Sequence, residues 1–584
     1  MKEKIENVIK EALKNLGIPE DVSFSVEHPD DLKNGDYSTN IAMVIHSLFV
    51  KSIQNNNPLK SLDFFKKEND EGHRSFNPKE IAEKIKQELE KNLPKGIAKV
   101  EIAGPGFINF YLSREFFTES ISEILKKGED WGKNNLGKGE KVIVEYSSPN
   151  IAKPFSIGHL RSTIIGDSIG RILSFSGYKV IRDNHLGDWG TQFGKLIVAL
   201  EKWGNLSEIE KSETPIKLLV DLYVKFHEEA EKDNSLEDEA RACFAKLEKK
   251  DDKIINIWKK CIEMSKKEFD RIYKKLNVSD FDTEYGESFY EDKMQSVIED
   301  VKEKGLGRES EGAFIIEFTE DKKLPPLLLL KKDGSSLYGL RDLAADKWRK
   351  NEYGKDIKII NEVGSEQIAY FRQIIEAEKM LEYYNGDQRV HIPHGLYRFS
   401  EGKMSTRKGN VIWLDDIINE AEKRAGEINE ETKEIVAIGA LKFNDLKRDS
   451  LGDIIFNWEE VLNIKGDSGP YLQYSAVRAN SILEKSKSFD LLDKKDIPEN
   501  ITDLEKLLYQ FPEMVEYSYN ENAPHHIAVY LTKLASEFNT FYGNTPILVE
   551  ENIHMTYHLK LIKSFYQTMK NGLWLLGIEI PERM

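Results

Sequence analysis

The chain has 584 residues, 40% of them hydrophobic and 32% charged, with a formal net charge of −17 at pH 7. That length exceeds the roughly 250–300 residues one core sustains, so about three domains are expected, and the apolar content excludes a disordered chain. No apolar run approaches the roughly 20 residues that cross a bilayer, and two cysteines without a CxxC, Cys243 and Cys261, argue against a disulfide framework or a thiolate zinc site. A reduced, cytoplasmic compartment and no membrane partner are therefore expected. The acidic balance weakens the case for a nucleic-acid partner without removing it, because 84 Lys and Arg residues are enough to line several grooves.

At the N-terminus, Ile5, Val8, Ile9, Ala12, Leu13 and Leu16 form one helical stripe closed by Gly17, a core-facing helix and not a secretory signal. An α/β module over residues 1–115 ends in the alternating strand Phe107–Leu112, after the turn Gly104-Pro105-Gly106. Beyond a linker from Gly132 to Gly139, the run Val142-Ile143-Val144 predicts a central parallel strand. Pro149 and Pro154 make Ser147–Ser156 a loop. Gly158-His159 opens a helix with an apolar face of Leu160, Ile164, Ile165, Ile169, Ile172 and Leu173; Gly177 ends it and Val180-Ile181 starts the next strand. This is a βαβ unit whose loop lies at the strand's carboxyl end, where open α/β sheets bind ligands. Residues 195–310 read as helical, charged and without motif, and strand-like segments resume near 313–415. From about residue 455 the pattern is helical, broken at Pro470, Pro512, Pro524 and Pro546.

The helix start at His159 offers free N–H groups to a phosphate, and Gly158 permits close approach of a nucleotide. Far along the chain, Gly402 and Gly409 bracket three cations in Lys403-Met404-Ser405-Thr406-Arg407-Lys408, a loop suited to the charge that develops on a departing pyrophosphate. Taken together, Ile157-Gly158-His159 and Lys403-Met404-Ser405 resemble the paired signatures of class I aminoacyl-tRNA synthetases. The stretch Ser148-Pro149-Asn150-Ile151-Ala152-Lys153-Pro154-Phe155 before Gly158-His159-Leu160-Arg161 resembles arginyl-tRNA synthetases in particular. So do Gly187-Asp188-Trp189-Gly190-Thr191-Gln192-Phe193-Gly194, Gly364-Ser365-Glu366-Gln367 and the ending Pro581-Glu582-Arg583-Met584. Two positions depart from the class pattern: Ser156 replaces a histidine and Thr406 a lysine. Lys153, and more weakly Lys408, are expected to supply the missing charge.

The resemblance implies a multidomain α/β fold. It comprises an N-terminal added α/β domain contacting tRNA (1–115), a Rossmann-like parallel-sheet catalytic domain (138–455, with an insertion over roughly 195–310) and an all-α anticodon-binding bundle (456–584). It implies ligation of L-arginine to its tRNA through an arginyl-adenylate, with the terminal adenosine 2′-hydroxyl as acceptor, tRNA required for activation, and no covalent enzyme intermediate. The expected catalytic residues are His159, Lys403, Lys153 and Ser156. ATP would be held by Ser156, Gly158, His159, Lys403, Met404 and Ser405. ATP enters as substrate with Mg2+, and no protein-bound structural metal is expected.

A free arginine needs carboxylates for its guanidinium, because a buried unpaired charge is costly and a two-pronged pairing selects arginine over lysine. The resemblance puts Tyr338 and Asp342 in that role, four residues apart on one helical face. Gln367 is their polar partner, with Glu145, Ser148 and Asn150 at the first strand's carboxyl end. Plainer readings are an Asp342–Arg341 pair, a core Tyr338 and a surface amide at Gln367. The run Gly469-Pro470-Tyr471-Leu472-Gln473-Tyr474-Ser475-Ala476-Val477-Arg478 resembles the signature helix of the family's anticodon-binding domain, and its Tyr474 and Arg478, four apart, suit splayed RNA loop bases, or else Tyr474 is core. The loop Asn34–Asn40 resembles the added domain's tRNA-elbow contact, with a structural turn as the alternative. A monomer is expected. Rival readings are a class I synthetase for lysine or cysteine, a small-molecule nucleotidylyltransferase and a silent RNA-binding paralogue.

Overall fold

A computed structural model of the chain describes residues 1–19, 22–54, 77–399, 412–427, 429–488 and 496–584. Two compact units emerge. One comprises Met1–Glu129, Ala479–Phe511 and Ser536–Thr568; the other comprises Asp130–Arg478, Pro512–Ala535 and Met569–Met584.

The first unit is built on an antiparallel sheet of β1 (Val26–Glu27), β2 (Tyr37–Thr39), β3 (Ile97–Ala103) and β4 (Phe107–Leu112), in the order β1-β2-β4-β3. Its helices are α1 (Lys2–Asn15), α2 (Ile41–Gln54), α3 (Pro78–Leu89) and α4 (Arg114–Lys127). The stripe Ile5, Val8, Ile9, Ala12 and Leu13 is buried in this core beside Ile81, Ile85, Ile108 and Phe110, and Gly17 adopts the left-handed φ of +71° that stops α1. Within the Asn34–Asn40 segment, Tyr37–Thr39 is strand β2. Tyr37 and Thr39 are buried, and Asp36 accepts the Leu112 N–H at 2.7 Å.

The second unit opens with β5 (Lys141–Glu145), α5 (Ile157–Phe175) and β6 (Lys179–Asp183). The insertion follows as α6 (Thr191–Trp203), α7 (Leu206–Ile209), α8 (Pro215–Ala230), α9 (Ser235–Glu248), α10 (Asp252–Lys275) and α11 (Met294–Glu303). A small antiparallel sheet of β7 (Gly307–Ser310), β8 (Ala313–Ile316) and β9 (Leu327–Leu330) leads into α12 (Tyr338–Tyr353), β10 (Lys358–Gly364), α13 (Ile368–Met380) and β11 (Arg389–His394). Then come β12 (Tyr397–Phe399), α14 (Leu414–Gly426), α15 (Lys433–Leu446), β13 (Ile454–Phe456), α16 (Trp458–Val461) and α17 (Gly469–Ser486).

The main sheet is fully parallel in the order β11-β10-β5-β6, with Asn361 of β10 opposite Glu145 of β5. β5 has strands on both sides, which explains its unbroken apolar run. The chain leaves β5 toward β6 on one side while β10 lies on the other. The crevice outside the carboxyl ends of β5 and β10 is therefore the topological switch point. Pro470 and Pro512 sit second in their helices (Gly469–Ser486 and Phe511–Glu521), and Pro524 immediately precedes the helix His525–Asn544. These prolines open helices where their missing N–H costs nothing, and do not interrupt them.

Lys442 of α15 is fully buried, donating to the carbonyls of Gly577 at 2.8 Å and Asn277 at 3.3 Å. Burial pushes its ammonium down from 10.5 to about 7 against the pull of Asp167. The folded chain therefore binds fewer protons than the unfolded chain between those values. The stability cost of this group is fully present below about 7 and fades as pH rises toward 10.5. Lys442→Met is expected to flatten the rise of melting temperature with pH across that window, and an unaltered slope would contradict the assignment.

Candidate active site

The loop leaving β5 is unusual in its backbone. Ser147, Ser148 and Ala152 take φ of 69°, 45° and 55°, left-handed values that side-chain-bearing residues hold only when their surroundings force them. The forcing contacts come from three directions. Ser162 of α5 accepts the Ser147 N–H at 3.0 Å, and Thr163 donates to the Ser147 hydroxyl at 2.8 Å. Asn184, just past β6, accepts the Ser148 N–H at 3.1 Å. From α10 of the insertion, Ser265 accepts the Ala152 N–H at 2.9 Å, and the Tyr273 hydroxyl lies 2.8 Å from Ser147 Oγ. The insertion thus braces this loop, a role carried by Ser265 and Tyr273 that no motif announced.

The motif Gly187-Asp188-Trp189 serves the same bracing. Asp188 accepts the Ser288 N–H at 2.8 Å and its hydroxyl at 2.6 Å, and Trp258 Nε1 donates to the Asp188 carbonyl at 2.8 Å. Asn150 forms a parallel bridge with Gly187, where an added Cβ would lie 2.4 Å from Asn150 Oδ1. Only glycine permits that approach.

At the start of α5, the Ser156 N–H donates to His159 Nδ1 at 3.0 Å, and Ser156 Oγ lies 3.0 Å from the same nitrogen. An Nδ1 that accepts a backbone N–H leaves the ring proton on Nε2. Burial pushes His159 down to about 4, with Lys153 and His394 acting in the same direction. The ring is therefore a neutral Nε2–H donor at the positive end of a helix. Gly158 is exposed, and among the described residues an added Cβ would meet only Ser156 Oγ at 3.5 Å, so none of these residues covers the helix start. Lys153 is exposed within electrostatic reach of His159.

Lys403, Met404, Ser405, Thr406, Arg407 and Lys408 lie outside the described residues. The chain that follows them is tied to this helix start. Ser156 bridges Trp413, the Ile157 N–H donates to the Ile412 carbonyl, and the Leu414 N–H to the Phe155 carbonyl at 2.9 Å.

On the other flank, Asp342, the fifth residue of α12, accepts a hydrogen bond from the Tyr370 hydroxyl. Burial holds its carboxyl above the usual range despite His185 and Tyr370. Asp342 is partly buried, whereas its neighbour Tyr338 is 62% exposed. Arg341 turns elsewhere, donating to Glu291 at 3.0 Å, so the Asp342–Arg341 alternative does not hold. Gln367 is exposed at the end of the turn that follows β10.

Glu145 is buried and paired with Arg349 of α12, which also pairs with Asp183 and, at 2.9 Å, with Asp346. Burial raises Glu145, but Arg349 with His185 and Arg389 outweighs it and holds the carboxyl below the usual range. Ser148 Oγ is buried with no hydrogen-bond partner among the described residues. Sequence reasoning missed Arg349, since a charge inside a helical pattern reads as a solvated face. Further along the unit, Tyr474 and Arg478 lie half-buried on α17 and engage each other, with the guanidinium 4.6 Å from the ring centroid and donating to the hydroxyl at 2.9 Å.

Three family models match the chain. "Arginyl tRNA synthetase N terminal domain" covers residues 3–112, "tRNA synthetases class I (R), catalytic domain" covers 120–458, and "DALR anticodon binding domain" covers 472–584. An arginine–tRNA ligase of Halothermothrix orenii is 40% identical over 597 residues, spanning 100% of this chain and 99% of the relative. One from Clostridium perfringens is 42% identical over 521 residues, spanning 86% and 90%. The crystal structure of arginyl-tRNA synthetase from Plasmodium falciparum superposes with a TM-score of 0.78 at 25% identity, covering 100% of this chain and 99% of that one. The Thermus thermophilus arginyl-tRNA synthetase shares the fold, with a TM-score of 0.75 at 24% identity and full coverage of both chains. A catalytic-domain match across more than half the residues, joined to full-length identity of 40%, places the chain in the class I arginyl-tRNA synthetase family.

Proposed function

We infer that this chain ligates L-arginine to tRNA in two steps. The observation that carries the reading is the open start of α5 at the sheet's switch point, where a neutral His159 presents its Nε2–H beside the chain that follows the basic segment. In the first step an arginine carboxylate oxygen attacks the α-phosphorus of ATP, the bond to the β-phosphate bridging oxygen breaks, and pyrophosphate leaves. The positive end of α5, the His159 donor and Lys403 then stabilise charge that grows toward the transition state. Magnesium enters with ATP as part of the substrate. In the second step the 2′-hydroxyl of the terminal adenosine attacks the adenylate carbonyl and AMP departs. The protein's work is positioning and charge stabilisation, so no side chain acts as nucleophile.

Asp342 is the guanidinium partner in this reading. Its carboxyl is short of compensating positive charge, which an arginine side chain would supply. Tyr338 and Gln367 close the pocket once arginine is bound, with Ser148 and Asn150 on the amino and carboxylate groups. Glu145 acts through its pair with Arg349. Tyr474 and Arg478 offer a ring and a cation to a splayed base. Residues 1–115, 138–455 and 456–584 serve as tRNA-contacting, catalytic and anticodon-binding parts, in a cytoplasmic monomer.

Arginine-dependent exchange of pyrophosphate into ATP, run with and without tRNA across the twenty amino acids, tests the whole reading. Exchange with a different amino acid, or with none under any condition, would overturn it. Within it, Asp342→Asn is expected to raise the KM for arginine by about 10²-fold, as befits a lost charged hydrogen bond, while the KM for ATP holds. Equal rises in both constants would remove Asp342 from the arginine pocket.

A further inference from the structure

His394 is the last residue of β11, and its register partner is Gly364, the last residue of β10. Both stand at the carboxyl edge of the sheet, on the crevice side. His394 Nδ1 lies 2.7 Å from Glu362 Oε1, and the two side chains are nearly sealed from solvent, at 9% and 1% exposure. A carboxylate this deep is tolerated only when paired, so the imidazole donates through Nδ1 and is held toward its charged form. Burial pulls the ring down, but the charge and hydrogen bond of Glu362 outweigh it and hold the imidazole above its ordinary value.

The groups facing this ring are Glu362 from β10, Glu366 from the turn that follows it, His391 from β11, Arg161 and His159 from α5, and Asp445 from α15. Asp445 is already engaged by Arg161 at 3.2 Å and by the Tyr397 hydroxyl at 2.8 Å, so Glu362 is the carboxylate in direct contact with the ring.

The other nitrogen is unspent. Nε2 of His394 makes no hydrogen bond among the described residues, and an added Cβ on Gly364 would lie 3.7 Å from it. It therefore faces the turn through which β10 enters the crevice. Opposite, the described part of the α5 start holds little full charge: His159 is neutral, the Ser156 hydroxyl is 3.0 Å from His159 Nδ1, and Lys153 is exposed. Arg161 of α5 is buried but already paired with Asp445, so a polyanion seated there lacks an uncommitted buried cation among the described residues.

We propose that His394, oriented by Glu362, is a cationic Nε2–H donor to the triphosphate of bound ATP. The proposal rests on the reading of the α5 start as the nucleotide site. A donor of this kind makes ATP binding proton-dependent, whereas His159, titrating at about 4, contributes nothing to that dependence above pH 5.

The test is equilibrium binding of ATP and of adenosine to the full chain between about pH 5.5 and 9, for wild type, His394→Gln, Glu362→Gln and His159→Ala. The ratio of wild-type to His394→Gln affinity for ATP is expected to be about tenfold at the acid end and to fall to about one at the alkaline end, the ligand's own titration cancelling in the ratio. Glu362→Gln moves the midpoint to lower pH, which a merely structural role would not do. It also carries the test should His394→Gln not fold. Adenosine shows no such dependence. A ratio constant with pH, an unmoved midpoint in Glu362→Gln, or the same dependence with adenosine each overturns the proposal. Slow adenylate formation by His159→Ala alongside a constant ratio would defeat this proposal alone. Unchanged adenylate formation by His159→Ala would defeat the nucleotide-site reading beneath it.

Discussion

Replacing His159 with alanine lowers the rate of adenylate formation by about 10²–10³-fold, the scale seen when one preorganised donor to a developing anion is removed. The size follows from how the ring is held. Its Nδ1 is fixed by the Ser156 N–H at 3.0 Å, so Nε2 points its proton without a reorganisation cost at the moment of reaction. Its charge state is fixed as well: a ring pushed down to about 4 stays neutral across the working range, so the defect keeps the same size between about pH 6 and 8. Pyrophosphate exchange measured with tRNA and saturating arginine reads the effect directly. A loss under tenfold, or one that grows as pH falls through 6.5, would show that the imidazole does not act as a fixed neutral donor.

Arg349→Met is the second large effect, and it falls on stability. One guanidinium serves Glu145, Asp183 and Asp346, all buried, at the base of the crevice. Removing it strands carboxylates in a poorly solvating interior, which costs about 3–5 kcal/mol. Lysine is a poor substitute because a single ammonium cannot span three carboxylates as the planar fork does. The pH dependence has a definite sign. Glu145 and Asp346 are both held below the usual carboxylate range, so their pairing stabilises the wild type above that range and is lost as pH falls through their folded values. The deficit of Arg349→Met, measured by thermal unfolding, therefore holds down to about pH 4 and narrows below it. A deficit that is small at neutral pH, or that widens in acid, would refute the hub role.

What the sequence disclosed, and what it hid, follows a physical line. β5 and α5 were legible because Val142–Val144 is a short apolar run between a polar linker and prolines, and because Gly177 marks where the helix stops. The candidate nucleotide-site residues stood out only through the pairing of Gly158-His159 at a βα loop with a distant basic loop, since a glycine-histidine helix start alone is also an ordinary cap. The buried ion pairs were not. Arg161, Arg349, Asp346 and Asp445 sit in helices that mix apolar and charged positions, and one-dimensional pattern cannot separate a sealed arginine from a solvated one. The bracing by Ser265 and Tyr273 was hidden for a related reason: a hydroxyl on an amphipathic helix carries no local sign that it will meet a strained loop more than a hundred residues away. His394 was passed over because its meaning depends on Glu362, which lies on the neighbouring strand.

The pairing of Arg161 with Asp445 spans 284 residues of chain. During synthesis at roughly 5–20 residues per second, the helix that bears His159 leaves the ribosome some 15–60 seconds before the carboxylate that neutralises its innermost arginine. For that interval the nascent helix exposes a cation destined for complete burial. The crevice consequently matures late, after the whole insertion has emerged, and a chain ending before Asp445 would leave Arg161 without its carboxylate.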